Sequence, residues 1–226
     1  GEFSEGLAKF DVWEDGTPVW MGIIDRAGKI VVKPKFEYEA IVSPFSEGLV
    51  PMKRKGKAGY LDKSGKWAIA PQFERALSFS EGLAQAVQDG RWGYIDHAGK
   101  WVIRPQFAGA GPFKEKLAVA IQDGRFGYID PNGRWAIPPR YTSAWAFSEG
   151  LAAVSSSPSG SADSVYGYID KQGQLVIPPR YSSASEFKNG LAFVFIDGRA
   201  AYIDKKGNVV WRSEENYQPA ASAGGK

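Results

Sequence analysis

Six aspartates recur along the chain: Asp25, Asp62, Asp96, Asp130, Asp170 and Asp204. A ladder of carboxylates is the raw material of a hard-cation site, which needs several oxygens converging within one short loop. Here each segment supplies one carboxylate, and a glycine follows three residues later. That spacing predicts a turn cap, not a metal ligand. His97 is the single histidine and sits beside Asp96. A general base also needs a nucleophile and an orienting group. The equivalent positions hold Arg26, Lys63, Pro131, Lys171 and Lys205, so His97 reads as an exposed turn tip. Ser4, Ser46, Ser80 and Ser148 each precede Glu-Gly. One histidine cannot activate four serines, and no G-x-S-x-G elbow is present. No phosphate-binding glycine motif precedes a helix, and the chain has no cysteine. These residues predict no catalytic group, no metal site and no cofactor.

Stacking and charge are the other sources of function. Trp67, Trp101 and Trp135 hold one position in three segments, where others place Ile30, Leu175 and Val209. A stacking platform is one reading. Replacement by aliphatics, and a shared face with Ile and Phe, favours core. Trp13, Trp20 and Trp145 fall outside the regular pattern and are the better candidates for binding. Cations also recur, at Lys57, Arg91, Arg125 and Arg199, and at Lys29, Lys66, Lys100 and Arg134. A third set is Lys35, Arg104, Arg140 and Arg180, with Gln72 and Gln106 interspersed. Aligned, such residues would make ridges able to meet an acidic protein or a polyanion. Protection of strand edges explains the same pattern.

The elements that position these residues come from an internal repeat. F-S-E-G-L or a close variant starts at Phe3, Phe45, Phe79, Phe113, Phe147 and Phe187. G-Y-I-D or a variant starts at Gly22, Gly59, Gly93, Gly127, Gly167 and Ala201. An I-x-P-x-aromatic block ends at Phe36, Phe73, Phe107, Tyr141 and Tyr181. The six copies span 3–44, 45–78, 79–112, 113–146, 147–186 and 187–211. The first carries extra residues around Trp13–Trp20 and Tyr38–Pro44. The fifth carries the polar insert Ser155–Ser164, read as a surface loop. Residues 212–226 leave the pattern and read as a linker or disordered tail. The abrupt start at Phe3 reads as a fragment of a longer protein, so no compartment is assigned.

Within copy three, Leu83–Gln88 alternates as a strand, Asp89-Gly90 is a hairpin turn, Arg91–Asp96 is a second strand and Trp101–Phe107 a third. The fold expected is all-β: six three-stranded antiparallel meanders stacked as an open β-solenoid, or superhelix, with a six-bladed β-propeller as the alternative. Composition agrees, with 27 Gly, 14 Pro, 13 Phe, 10 Tyr and 8 Trp in 226 residues. The net charge of +3 is too small to point to nucleic acid. No apolar run approaches the ~20 residues of a membrane helix.

R-W-G at Arg91–Gly93, then Y-I-D, G-K-W at Gly99–Trp101 and V-I-R-P-Q-F at Val102–Phe107 resemble the bacterial WG (KWG) repeat family. The namesake tryptophan is present only at Trp92. Met21, Ala58, Phe126, Tyr166 and Ala200 stand in its place, and its glycine becomes Ala201 in copy six. The resemblance implies a non-catalytic module with no catalytic motif to carry over. The expected function is therefore protein–protein interaction or scaffolding within a larger protein. The alternative is binding of a glycan or cell envelope through exposed aromatics. The residues expected to bind are Lys35, Arg104, Arg140, Arg180, Trp13, Trp20 and Trp145.

Overall fold

A computed structural model describes residues 3–37, 44–157 and 165–214. The expectations for Tyr38–Ser43, for most of the Ser155–Ser164 insert and for the tail beyond Glu214 lie outside these residues. All regular structure among the described residues is β, in six antiparallel sheets, and no helix is present. The chain divides into two compact halves, Gly1–Phe113 and Lys114–Lys226.

In the first half, β1 (Leu7–Glu14), β2 (Thr17–Asp25) and β3 (Ile30–Glu37) form one sheet. A second contains β4 (Leu49–Arg54), β5 (Lys57–Asp62) and β6 (Trp67–Phe73). The third orders β7 (Arg75–Ala76), β8 (Ala84–Gln88), β9 (Arg91–Ile95) and β10 (Trp101–Phe107) side by side. The short β11 (Gly109–Ala110) closes this half. In the second half, β12 (Ala118–Gln122), β13 (Arg125–Ile129) and β14 (Trp135–Tyr141) are neighbours. Next come β15 (Ser143–Ala144), β16 (Ala152–Ser155), β17 (Tyr166–Ile169) and β18 (Leu175–Tyr181). The last sheet holds β19 (Ser183–Ala184), β20 (Leu191–Ile196), β21 (Arg199–Asp204) and β22 (Val209–Arg212).

The three-stranded expectation holds for the first two sheets and needs correction for the other four. The connector after strand three contributes a short fourth strand, as where Arg75 pairs with Val87 and Ala76 with Ala86. Two residues are too few to display a period, which is why the pattern hid them.

Local chemistry dictates the turns. Asp89 and Gly90 both adopt positive φ, 51° and 68°, the pair of angles a type I′ hairpin requires. Strand three alternates, with Ile103 and Phe107 buried and Val102, Arg104 and Gln106 exposed. The first long strand does not alternate: Ala84, Gln85, Ala86 and Val87 are all buried. That strand lies in mid-sheet with both faces covered, so its expected two-sidedness disappears.

The glycine before the buried tyrosine has a packing cause. Strand three crosses it closely, with a register shift between the Ile103–Tyr94 and Phe107–Trp92 pairs. A Cβ at Gly93 would lie 2.5 Å from the Ile103 carbonyl oxygen and 2.8 Å from the Pro105 nitrogen. Gly59, Gly127 and Gly167 face the same approach. Backbone cannot yield as a flexible side chain would, so the position admits no side chain without displacement.

The core belongs to pairs of copies. Leu7, Ile23 and Phe36 of copy one pack with Phe45, Val50 and Leu61 of copy two. Tyr60 and Ile69 then pack with Phe79 and Ala86. In the second half, Tyr128 and Ile137 meet Phe147 and Val154, and Tyr168 and Ile177 meet Phe187 and Val194. A single meander is too small to bury its own apolar face. Neighbours supply the other wall.

Candidate functional site

The repeated Asp, Ser, Glu and Tyr groups have structural partners. The six aspartates cap their own turns. Asp96 Oδ1 accepts the N–H groups of Ala98 and Lys100, both at 2.9 Å. Asp25, Asp62, Asp130, Asp170 and Asp204 accept the equivalent pairs. Side-chain hydrogen bonds from Ser64 to Asp62 and from Asn208 to Asp204 lower those two carboxyl pKa values. Asp130 is partly desolvated, which raises its pKa, but the Arg134 and Asn132 backbone donors prevail and lower it. Among the described residues, no cluster of three His, Cys, Asp or Glu side chains is arranged to hold a metal ion.

The Ser-Glu-Gly block, and Glu115 in its Lys-Glu-Lys variant, links a copy to the next, a role the sequence reading missed. Ser4, Ser46 and Ser148 donate their hydroxyls to the carbonyls of Phe45, Phe79 and Phe187, at 2.7, 2.8 and 2.6 Å. The neighbouring glutamates accept the next copy's glycine N–H: Gly48 to Glu5, Gly82 to Glu47, Gly150 to Glu115 and Gly190 to Glu149. The same carboxylates reach the residue after the capping aspartate of the next copy. Lys63, Lys171 and Lys205 lie within 3.1 Å of Glu5, Glu115 and Glu149. His97 Nε2 lies 3.0 Å from Glu47, and its ring stacks on Phe79 at 4.2 Å. His97 stands exposed in its turn as expected, and its ring in addition bridges two copies.

These glutamates take positive φ, from 51° at Glu5 to 54° at Glu47 and Glu149. A long side chain is disfavoured there by sterics. The clamp it makes offsets that cost. Lys63 draws the Glu5 pKa down, and Lys205 does so for Glu149. At Glu115, desolvation opposes the shift, but Lys171 and the Gly150 N–H outweigh it and the pKa is lowered.

Tyrosine and tryptophan complete the joint. Tyr60, Tyr94, Tyr128 and Tyr168 are fully buried. Their hydroxyls donate to the carbonyls of Leu77, Gly111, Trp145 and Ser185, and desolvation raises their pKa values well above the ordinary range. Each ring rests on the next copy's phenylalanine, as Tyr60 does on Phe79 at 5.0 Å. Trp67 and Trp101 pack edge-on against Phe36 and Phe73 of the preceding copy, at 5.6 and 5.4 Å. They are half-buried, in the core role.

The basic residues separate. Arg140 lies over the Tyr141 ring and donates to the Gly173 carbonyl of the next turn at 2.8 Å. Arg180 lies over Tyr181 and donates to the Gly207 carbonyl. Lys35 lies over Phe36, and Arg104 is exposed on β10. The two second-half arginines are thus engaged in the joints.

The remaining candidates are open to solvent. Trp13 and Trp20 are 61% and 42% exposed on the long β1–β2 hairpin, where a bulge falls between Val12 and Trp13. Trp145 lines a cavity of about 690 Å³ in the second half, together with Phe193 and Tyr202. A smaller cavity of about 310 Å³ lies beside Arg140 and Leu175.

The family profile of the WG-containing repeat matches five times, at residues 21–57, 59–92, 92–125, 126–156 and 166–199. The chain belongs to the WG repeat family. Each match opens at or beside the family's Trp-Gly position, where only Trp92 keeps the tryptophan. The close approach of strand three explains why the copies of this chain hold the glycine more strictly than the tryptophan. No curated protein sequence matches this WG repeat chain. Among solved structures, Kluyveromyces lactis Hsv2 matches with a TM-score of 0.53 and 11% identity, over 84% of this chain and 68% of that one. A eukaryotic initiation factor matches at 0.51 and 11%, over 85% and 70% of the two chains. The dihydro-heme d1 dehydrogenase NirN, solved in complex with DHE, matches at 0.52 and 12%, over 89% and 53%. At such identities the likeness concerns the fold, which is propeller-like in the matched structures.

Proposed function

We propose that this WG repeat chain is a non-enzymatic interaction module that recognises another protein through its first copy. The observation that carries the reading is the contrast between spent and unspent residues. The repeated Ser, Glu, Asp and Tyr groups are committed to turns and joints. The β1–β2 hairpin instead presents Trp13 and Trp20 to solvent. Tryptophan is enriched among residues that dominate protein interfaces. Affinity capture with the wild type and the Trp13→Ala/Trp20→Ala variant tests it. The partner is identified, purified and remeasured. The expected result is at least a tenfold weaker complex for the variant. Equal affinity removes the hairpin from the interface.

The arrangement of the copies is part of the same reading. A propeller-type arrangement draws support from the four-stranded meander β7–β10 and from the fold of the matched structures. The open solenoid draws on the self-propagating joint, which can be extended indefinitely. Solution scattering separates them. A compact body of this length has a radius of gyration near ~17 Å, and a clearly larger value favours the solenoid.

A further inference from the structure

We propose an oligosaccharide-binding site in the second half, at the cavity of about 690 Å³ lined by copies four, five and six, with Trp145, Phe193 and Tyr202 as stacking surfaces. This volume lies within the ~300–1,000 Å³ typical of small-ligand sites. The site uses none of the residues of the copy-one hairpin, and the proposal does not depend on that hairpin's role.

Two of the three exposed aromatics, Trp145 and Phe193, are not residues of the repeat pattern. The position of Phe193 holds Lys9, Pro51, Gln85, Val119 and Ala153 in the other copies. The position of Trp145 holds Leu77, Gly111 and Ser185 in its neighbours. Tyr202 matches the buried tyrosines, yet it is 41% exposed. Trp145 is 49% and Phe193 36% exposed, so three departures from the pattern open onto one space. Phe193 is braced edge-on by Tyr202 and Phe195, each at 5.4 Å. A braced ring loses little freedom when a ligand stacks on it.

The cavity lining also sorts the ligand classes. Asn189 stands where other copies place the glutamate that captures the next glycine N–H, and Lys188 stands where most place the serine. The serine and glutamate that clamp the next copy elsewhere are thus absent from copy six. Lys188 and Glu186 both line the cavity, and a single cation does not make the positive groove that nucleic acids need. Aromatic faces beside the Ser183 hydroxyl and Asn189 amide suit a ligand that is apolar on one face and ringed by hydroxyls. A pyranose has that shape, and amphipathic aromatics serve such ligands.

The test is a tryptophan-fluorescence titration of the full chain with chitohexaose, cellohexaose and maltohexaose, repeated by calorimetry. A saturable change with at least one of them is expected. Trp145→Ala and Phe193→Ala should each weaken binding at least tenfold while the melting temperature stays unchanged, and Trp13→Ala should bind as wild type. No saturable binding to any of the three overturns the site. So does binding that survives both substitutions, or a response only to a polyanion or a peptide. Because Trp13 and Trp20 play no part, a negative result leaves the protein-partner experiment standing, and the reverse also holds.

Discussion

Tyr128 and Tyr202 hold the same place in their copies and have opposite surroundings. Tyr128 is fully buried, its ring is tilted on Phe147 at 4.8 Å, and its hydroxyl reaches the Trp145 carbonyl. Tyr202 is 41% exposed and touches Phe193 and Trp211 of its own copy instead. Trp211 and Ile177 make a second such pair: the isoleucine is fully buried and the tryptophan 52% exposed. A repeat position therefore has no fixed burial. The neighbour that covers it decides whether it is core or surface.

The largest expected effect comes from truncating both tyrosines. Tyr128→Ala should cost about 3–5 kcal/mol, the range for emptying a large aromatic site. Tyr202→Ala should cost under about 1 kcal/mol, as surface substitutions do. Chemical denaturation measures both, and equal losses would break the comparison. Next in size is Gly127→Ala. Its Cβ would meet the Ile137 carbonyl oxygen at 2.6 Å, and overpacking of this kind costs about 1–3 kcal/mol. Copy six already carries Ala201 there, so Ala201→Gly should leave the melting temperature within a degree or two of wild type.

Smaller effects sharpen the account of the joint. Ser148→Ala removes the hydrogen bond to the Phe187 carbonyl and should cost about 0.5–1.5 kcal/mol. Glu115→Asn keeps a residue suited to positive φ, as Asn189 is in copy six, but loses the contact with Lys171. A loss below about 1 kcal/mol is expected, shrinking in high salt. The smallest effect is on pH dependence. Glu5, Glu115 and Glu149 have folded pKa values below the ordinary 4.5. Between the folded and unfolded values the unfolded chain binds more protons, so stability rises with pH there. The contribution is complete above the ordinary value and fades as pH falls through the folded values. Replacing the three by Asn should flatten the acid limb of a stability–pH curve, and an unchanged limb would contradict the clamp.

The legible part of this protein is its local part. Asp-Gly pairs, Asp capping with Gly three residues later, and the alternation of Trp101–Phe107 act within a few residues, so spacing alone reveals them. The Glu5–Lys63 and Arg140–Gly173 contacts bring together residues 58 and 33 positions apart. Nothing in either segment announces the other. The signal was present in one respect: a glutamate repeated before a glycine, at a place that prefers Asn or Gly, needed a reason beyond the turn. The short β7 could not be read because two residues carry no period, and the burial of Gln85 could not be read because its cover comes from other strands.

By itself, then, the sequence determined the unit: its turns, its hairpins, its family glycine and its number of copies, all consequences of short-range geometry and of repetition. Only the tertiary structure decided which face of each unit is covered, that Ser-Glu-Gly is a clamp, that Arg140 and Arg180 are engaged, and that Trp13, Trp20 and Trp145 stand open. Burial is a property of two surfaces meeting, and each copy encodes one of them.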